Sequence, residues 1–204
     1  MNWLAHLDLS KPAAEYRLGN LLPDFARPWQ YRHLSNEILD GVACHNFIDA
    51  FTDTHPVFRR SINRLSSLHR RFGGIVIDIL YDHFLTVDWK NLNATPLHQF
   101  VGEVHEGLAR FYDALPPEVS LRFRQIQDAN ILTSYADLDG IETALFRMNH
   151  RLRGNLDVAA IMMDLRRNQS SLRADFKLFF PELRERVAQF QEGQAVRIAS
   201  TVRR

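Results

Sequence analysis

The sequence predicts an all-α fold, a single-domain helical bundle, and three observations predict it. Only 9 glycines and 8 prolines punctuate 204 residues, no run alternates Val, Ile or Thr, and long stretches carry apolar residues at three- and four-residue spacing. No strand-helix-strand signature interrupts them. A chain of this length buries a substantial core, and 46% hydrophobic with 24% charged residues is an ordinary globular composition.

The elements follow in order. An apolar Trp3-Leu4-Ala5-His6-Leu7 face predicts a short helix over about 2–9, and a second over about 13–20, with Gly19 as its stop and Asp24 beyond Pro23 in a turn. Ser35-Asn36-Glu37 supplies a capping residue for a helix over about 35–53, and His55-Pro56 separates it from another over about 56–70. The most apolar stretch predicts a helix over about 73–88. Thr95-Pro96 opens one over about 96–114, Pro116-Pro117 one over about 117–127, and Asp137 ahead of Leu138 and Ile141 one over about 137–151. Gly154-Asn155 ends it. Two more are expected over about 156–168 and 170–192, so residues 1–192 form the domain and 193–204, ending Val202-Arg203-Arg204, a frayed tail.

Composition bounds the function. The start of the chain carries neither a basic segment nor a long apolar one, and the lone Cys44 excludes an internal disulfide, so a cytoplasmic protein is expected, with no membrane span. The formal charge of +1 gives no ground for a nucleic-acid partner. Arginine outnumbers lysine, which occurs only at positions 11, 90 and 177, and Arg59, Arg60, Arg64, Arg70 and Arg71 gather within thirteen residues. Arginine grips phosphate bidentately, so the cluster suits a phosphate or an acidic protein; as a solvated helix face it needs no function.

The chemistry is concentrated in two segments. Residues 75–85 read Ile-Val-Ile-Asp-Ile-Leu-Tyr-Asp-His-Phe-Leu, which sets Asp78, Asp82 and His83 among apolar neighbours with no Lys or Arg beside them. A carboxylate stripped of water there needs a cation or hydrogen-bond donors. His45, Asp49 and Asp53 recur at steps of four, along one face of another helix. Carboxylates and imidazoles without a thiolate cluster suit Mn²⁺, Mg²⁺ or Fe, which polarise a phosphoryl oxygen and acidify bound water. Phosphoester hydrolysis is the expected reaction. Some also have a plain structural reading: a capping or turn role for Asp24, and a satisfied hydrogen bond for His6 and His83. No glycine-rich phosphate loop or dinucleotide fingerprint is present, and Cys44 and His45, as helix neighbours, point apart.

Four segments carry a resemblance: Met1-Asn2-Trp3-Leu4-Ala5-His6-Leu7; Gly19-Asn20-Leu21-Leu22-Pro23-Asp24-Phe25; Gly41 through His45 to Asp49 and Phe51-Thr52-Asp53; and Asp78 with Asp82-His83-Phe84-Leu85. In order and spacing the chain resembles the acyl carrier protein phosphodiesterases, a divergent branch related to the HD phosphohydrolases. The resemblance implies removal of 4′-phosphopantetheine from a serine of holo-acyl carrier protein, with Mn²⁺ or a similar ion. It assigns metal-site roles to Asp24, His45, Asp82 and His83, makes Asp49 and Asp78 further ligands or groups that orient them, and leaves His6 and Asp53 as weaker candidates. Where the family's central histidine is commonly followed by arginine, this chain has Asn46, so Arg27, Arg59 or Arg60 is expected to hold the phosphate instead. An HD-like hydrolase acting on a nucleotide such as a guanosine polyphosphate, and a non-catalytic helical adaptor, are the competing readings.

Overall fold

The most apolar stretch of the sequence becomes the central helix. The computed structural model describes residues 1–202 and contains, among them, ten α-helices and no strand. In chain order these are α1 (Trp3–Asp8), α2 (Ala14–Phe25), α3 (Pro28–Tyr31), α4 (Asn36–Thr54), α5 (Pro56–Asn63), α6 (Gly73–Leu92), α7 (Leu97–Ala109), α8 (Pro117–Asp128), α9 (Leu138–Arg151) and α10 (Val158–Val202). Short 3₁₀ turns at Arg70–Phe72, Tyr112–Ala114 and Ile131–Ala136 lie between them. On α6, Val76, Ile77, Leu80, Tyr81, Phe84 and Leu85 are all buried, and Tyr81 meets the rings of Phe58, Phe176 and Phe179. Burying such side chains contributes about 1.5–3 kcal/mol each, which outweighs any helix propensity.

Caps mark several starts where the sequence places them. Ser35 Oγ accepts the Ile38 amide, Asp137 Oδ1 that of Gly140, and His55 Nδ1 that of Val57. The expected stop at Gly19 does not occur. A Cβ on Gly19 would stand 1.9 Å from the Ile38 carbonyl oxygen, and one on Gly41 would stand 2.2 Å from that of Tyr16, so the two glycines let α2 and α4 touch backbone to backbone. Pro23 withdraws one amide from the last turn of α2 without ending it, and Asp24 is therefore helical rather than in an extended turn.

Two breaks expected late in the chain are also missing. Asn168 donates to the carbonyls of Arg64 and Asp164, so its polar side chain is used without interrupting the helix, and the two expected segments form one α10. That helix passes Gly193 because Gln194 is buried, accepting from the Tyr16 hydroxyl and donating to the Asp40 carbonyl, while Gln191 donates to that of Leu9. Arg203 and Arg204 of the expected tail lie outside the described residues. The helix expected over 56–70 ends at Asn63, and Arg70 turns back onto the carbonyls of Leu65 and Asn63.

Charged anchors fasten the ends of the bundle. Buried Asp175 of α10 receives Arg60 and Arg64 as well as the Ser61 hydroxyl, at 2.6–3.3 Å. Arg184 binds Asp8 at the end of α1 and the Leu92 carbonyl at the end of α6, where the exposed carbonyls attract a cation. A Gly19→Ala variant is expected to lose about 3 kcal/mol or more by urea unfolding, because its methyl meets main chain that cannot give way. Gly74→Ala, with nothing within 4 Å of the new methyl, is expected to be neutral or to gain about 0.5–1 kcal/mol.

Candidate metal centre

The site forms where α1, α2, α4 and α6 meet. Asp82 places it. Its carboxylate is wholly buried on α6 and accepts the amides of Leu4 and Ala5 at 2.9 and 3.1 Å, so a side chain of α6 satisfies the free donors at the start of α1. Burial drives this carboxyl up to about 8 against the pull of the two amides. With α1 seated, His6 faces α4 and its ring stacks on that of His45, centroids 4.3 Å apart and planes 20° from parallel.

Asp49, one turn along α4 from His45, closes the cluster. His45 Nε2 stands 3.0 Å from one of its carboxylate oxygens and His6 Nε2 stands 3.2 Å from the other. The α-ammonium of Met1 lies 3.4 Å from Asp49 and 3.3 Å from Asp78 of α6. Asp24, at the end of α2, reaches within 4.0 Å of His45 Nε2 and is held there by a 3.0 Å bond from the Trp3 indole. Burial opposes an imidazolium at His45, but the Asp49 bond and charge, with Asp24 behind them, prevail and raise its pKa. Those bonds, joined by His6 and the ammonium, hold Asp49 well below the usual carboxylate range although burial pushes the other way. Burial raises Asp78, offset by the ammonium beside it.

The donor set fits a divalent ion. One atom each from His6, His45 and Asp49 lies within 4.8 Å of the others, a spacing a single cation can bridge. Asp78 supplies a second sign, since its buried Oδ1 makes no hydrogen bond of good geometry despite the nearby ammonium. Asp24 and Asp78 also line a cavity of about 160 Å³, together with Trp3, Ile75, Ile79 and Met148. A further hollow of about 70 Å³ shares Trp3, Ile79 and Met148 and runs on to Tyr135 and Arg147. A larger hollow, about 900 Å³ beside Trp89 and Leu97, includes none of these acids.

Several candidates stand elsewhere. His83 turns away and donates from Nδ1 to the Tyr135 carbonyl at 2.7 Å, and the Asp82 oxygens are spent on α1, so neither reaches the cluster. Both needed a partner, as the sequence implies, but main-chain groups supply it. Asp53 is exposed two turns from His45, and its carbonyl receives Arg59 Nε at 3.0 Å. Arg60 is committed to Asp175. Arg27, three residues past Asp24, is exposed. Asn20 and Trp3, quoted above only as motif letters, touch the functional groups directly; Asn20 shared the available signal, a polar residue on an apolar helix, one turn before Asp24.

These shifts set the pH response. Because the His45 pKa is raised, its contribution to stability is complete below about pH 6.5 and fades as pH climbs through the folded-state value. Asp49, lowered, contributes above about pH 4 and fades as pH falls through its own. Metal-free protein is therefore expected to lose stability in urea titrations as pH rises above about 6.5, through His45 together with Asp82, whose carboxyl is raised to about 8. Asp49→Asn should flatten that decline; an unaltered slope would contradict the pairing.

Comparison with known proteins agrees with the sequence motifs. A family model described as acyl carrier protein phosphodiesterase matches residues 1–183. A protein named acyl carrier protein phosphodiesterase from Salmonella agona (strain SL483) is 32% identical over 194 residues, covering 92% of this chain and 98% of its own length. One of the same name from Photorhabdus laumondii subsp. laumondii is 30% identical over 192 residues, covering 91% of this chain and 94% of its own. No solved structure matches. The chain belongs to the acyl carrier protein phosphodiesterase family.

Proposed function

We propose that this protein is a divalent-metal-dependent phosphodiesterase that cleaves the bond between 4′-phosphopantetheine and the serine of holo-acyl carrier protein, releasing the apo-protein. The observation that carries the reading is the convergence of His6, His45 and Asp49, with Asp24 4.0 Å from His45 and, like Asp78, lining a cavity. His6, His45 and Asp49 would hold the ion, with Asp24 and Asp78 close enough to complete or orient the set. Oxygen and imidazole donors favour Mn²⁺, with Mg²⁺ or Fe as substitutes. Such an ion, when bound, polarises a phosphoryl oxygen and lowers the pKa of water.

The chain's own residues supply the rest. Trp3 fixes Asp24 at the rim, so a carboxylate faces the entering phosphodiester from a constant direction. The apolar walls of Ile75, Ile79 and Met148 suit the dimethyl-bearing pantoyl end of the arm, and Tyr135 and Arg147 offer polar contacts further along. Among the arginines expected to hold phosphate, Arg27 is the one whose position near Asp24 and exposure favour that role, since Arg60 is already paired. An exposed arginine there also complements an acidic carrier protein.

Two experiments test the reading. Holo-acyl carrier protein incubated with the enzyme and Mn²⁺ should lose the mass of its prosthetic group, and chelator should prevent this, whereas a panel of nucleotides should remain intact. Asp49→Asn should lower kcat/KM by more than about 100-fold. Persistence of the holo mass would reject the assignment. Met148→Trp, which fills the groove, should raise KM for holo-acyl carrier protein by about 10-fold or more while hydrolysis of bis(p-nitrophenyl) phosphate stays near wild type. Equal loss on both substrates would remove the groove from the proposal.

A further inference from the structure

We infer that Asn20 is a positioning residue that sets both imidazoles of the centre, aiming the Nε2 atom of each at the ion; the inference rests on the metal reading above. Asn20 is completely buried on α2 and presents two separate oxygens to two rings. Its side-chain Oδ1 lies 3.0 Å from His6 Nδ1, and its main-chain oxygen lies 2.8 Å from His45 Nδ1. An oxygen of either kind only accepts, so each Nδ1 carries the hydrogen.

The orientation of the amide follows from its other end. Nδ2 donates to the His6 carbonyl at 2.9 Å and to Ser10 Oγ at 2.8 Å, and the Ser10 hydroxyl is itself spent on the His6 carbonyl at 2.8 Å. Reversing the amide would set Oδ1 against that carbonyl, acceptor on acceptor. Only one orientation satisfies every group. With Nδ1 of both rings tied to one residue, the rings stack and their Nε2 atoms emerge on the same side, 3.2 and 3.0 Å from the two oxygens of Asp49. His6 Nε2 also faces the Met1 carbonyl at 3.1 Å, so oxygens surround the point where this ring holds a proton or a cation. Groups that bind the far nitrogen of a ligating histidine fix its ring and tautomer. Aspartate at this position would lack the two donors, and leucine would lack the acceptor.

The two contacts differ in a way that makes the inference testable. Any substitution keeps the main-chain oxygen, so His45 should hold its bond while His6 loses its own. In metal-free Asn20→Leu at about pH 6, the slowly exchanging Nδ1–H resonance of His6 should disappear and that of His45 should persist. Its Mn²⁺ dissociation constant, read from the paramagnetic resonance of free Mn²⁺, should rise about 10–100-fold. Asn20→Asp, which retains the acceptor but sets its second oxygen against the His6 carbonyl, should restore the His6 resonance and only part of the affinity. Unchanged His6 resonance and Mn²⁺ affinity in a folded Asn20→Leu would overturn the inference, as would equal losses in the two variants. If the wild type binds no Mn²⁺, the metal reading falls by itself, and the resonance comparison alone decides whether Asn20 orients His6.

Discussion

One buried carboxylate holds the arrangement together. Asp82 is fully buried, and the amides of Leu4 and Ala5 are its compensation. A helix of six residues has negligible stability alone, so α1 borrows its order from this contact and from the Asp8–Arg184 pair at its other end. His6, Trp3 and the ammonium of Met1 reach the cluster only because α1 is seated. Asp82, which the sequence offers as a ligand, thus serves the cluster by docking the helix that carries His6.

The second constraint is the glycine contact between α2 and α4. Their backbones approach so closely that the Asn20 carbonyl reaches a side chain on the neighbouring helix, which ordinary side-chain packing would keep apart. The same closeness sets Asp24 within 4.0 Å of His45. Rigid elements therefore position each side chain of the cluster. Elsewhere, charged groups act mainly as fasteners. Arg60, Arg64 and Arg184, for example, are tied to acids inside the bundle and contribute little free charge to the surface.

Most of the fold was legible because burial imposes the helical spacing that the sequence displays. The exceptions share a cause, since a glycine, a proline or a polar residue announces a departure without saying which. Gly19 reads equally as a stop or as a close contact, and only the presence of Gly41 opposite decides. The gap expected between helices at about residue 169 is bridged, with Asn168 bonding two carbonyls as α10 continues. In the site, the sequence shows that Asp82 and His83 require partners yet cannot say whether metal or main chain provides them. His45, Asp49, Asp24 and Asp78 do gather, while Asn20, one turn before Asp24, shows in the sequence only as a polar residue on an apolar helix, which does not tell which side chains it meets.

The distribution of these contacts along the chain has a consequence for biosynthesis. The segment bearing His6 is synthesised before the groups that anchor it, since Asp82 follows Ala5 by 77 residues and Arg184 follows Asp8 by 176. Until then the leading residues have nothing to settle upon. The cluster around His45 is consequently completed only after α6 and α10 have been made.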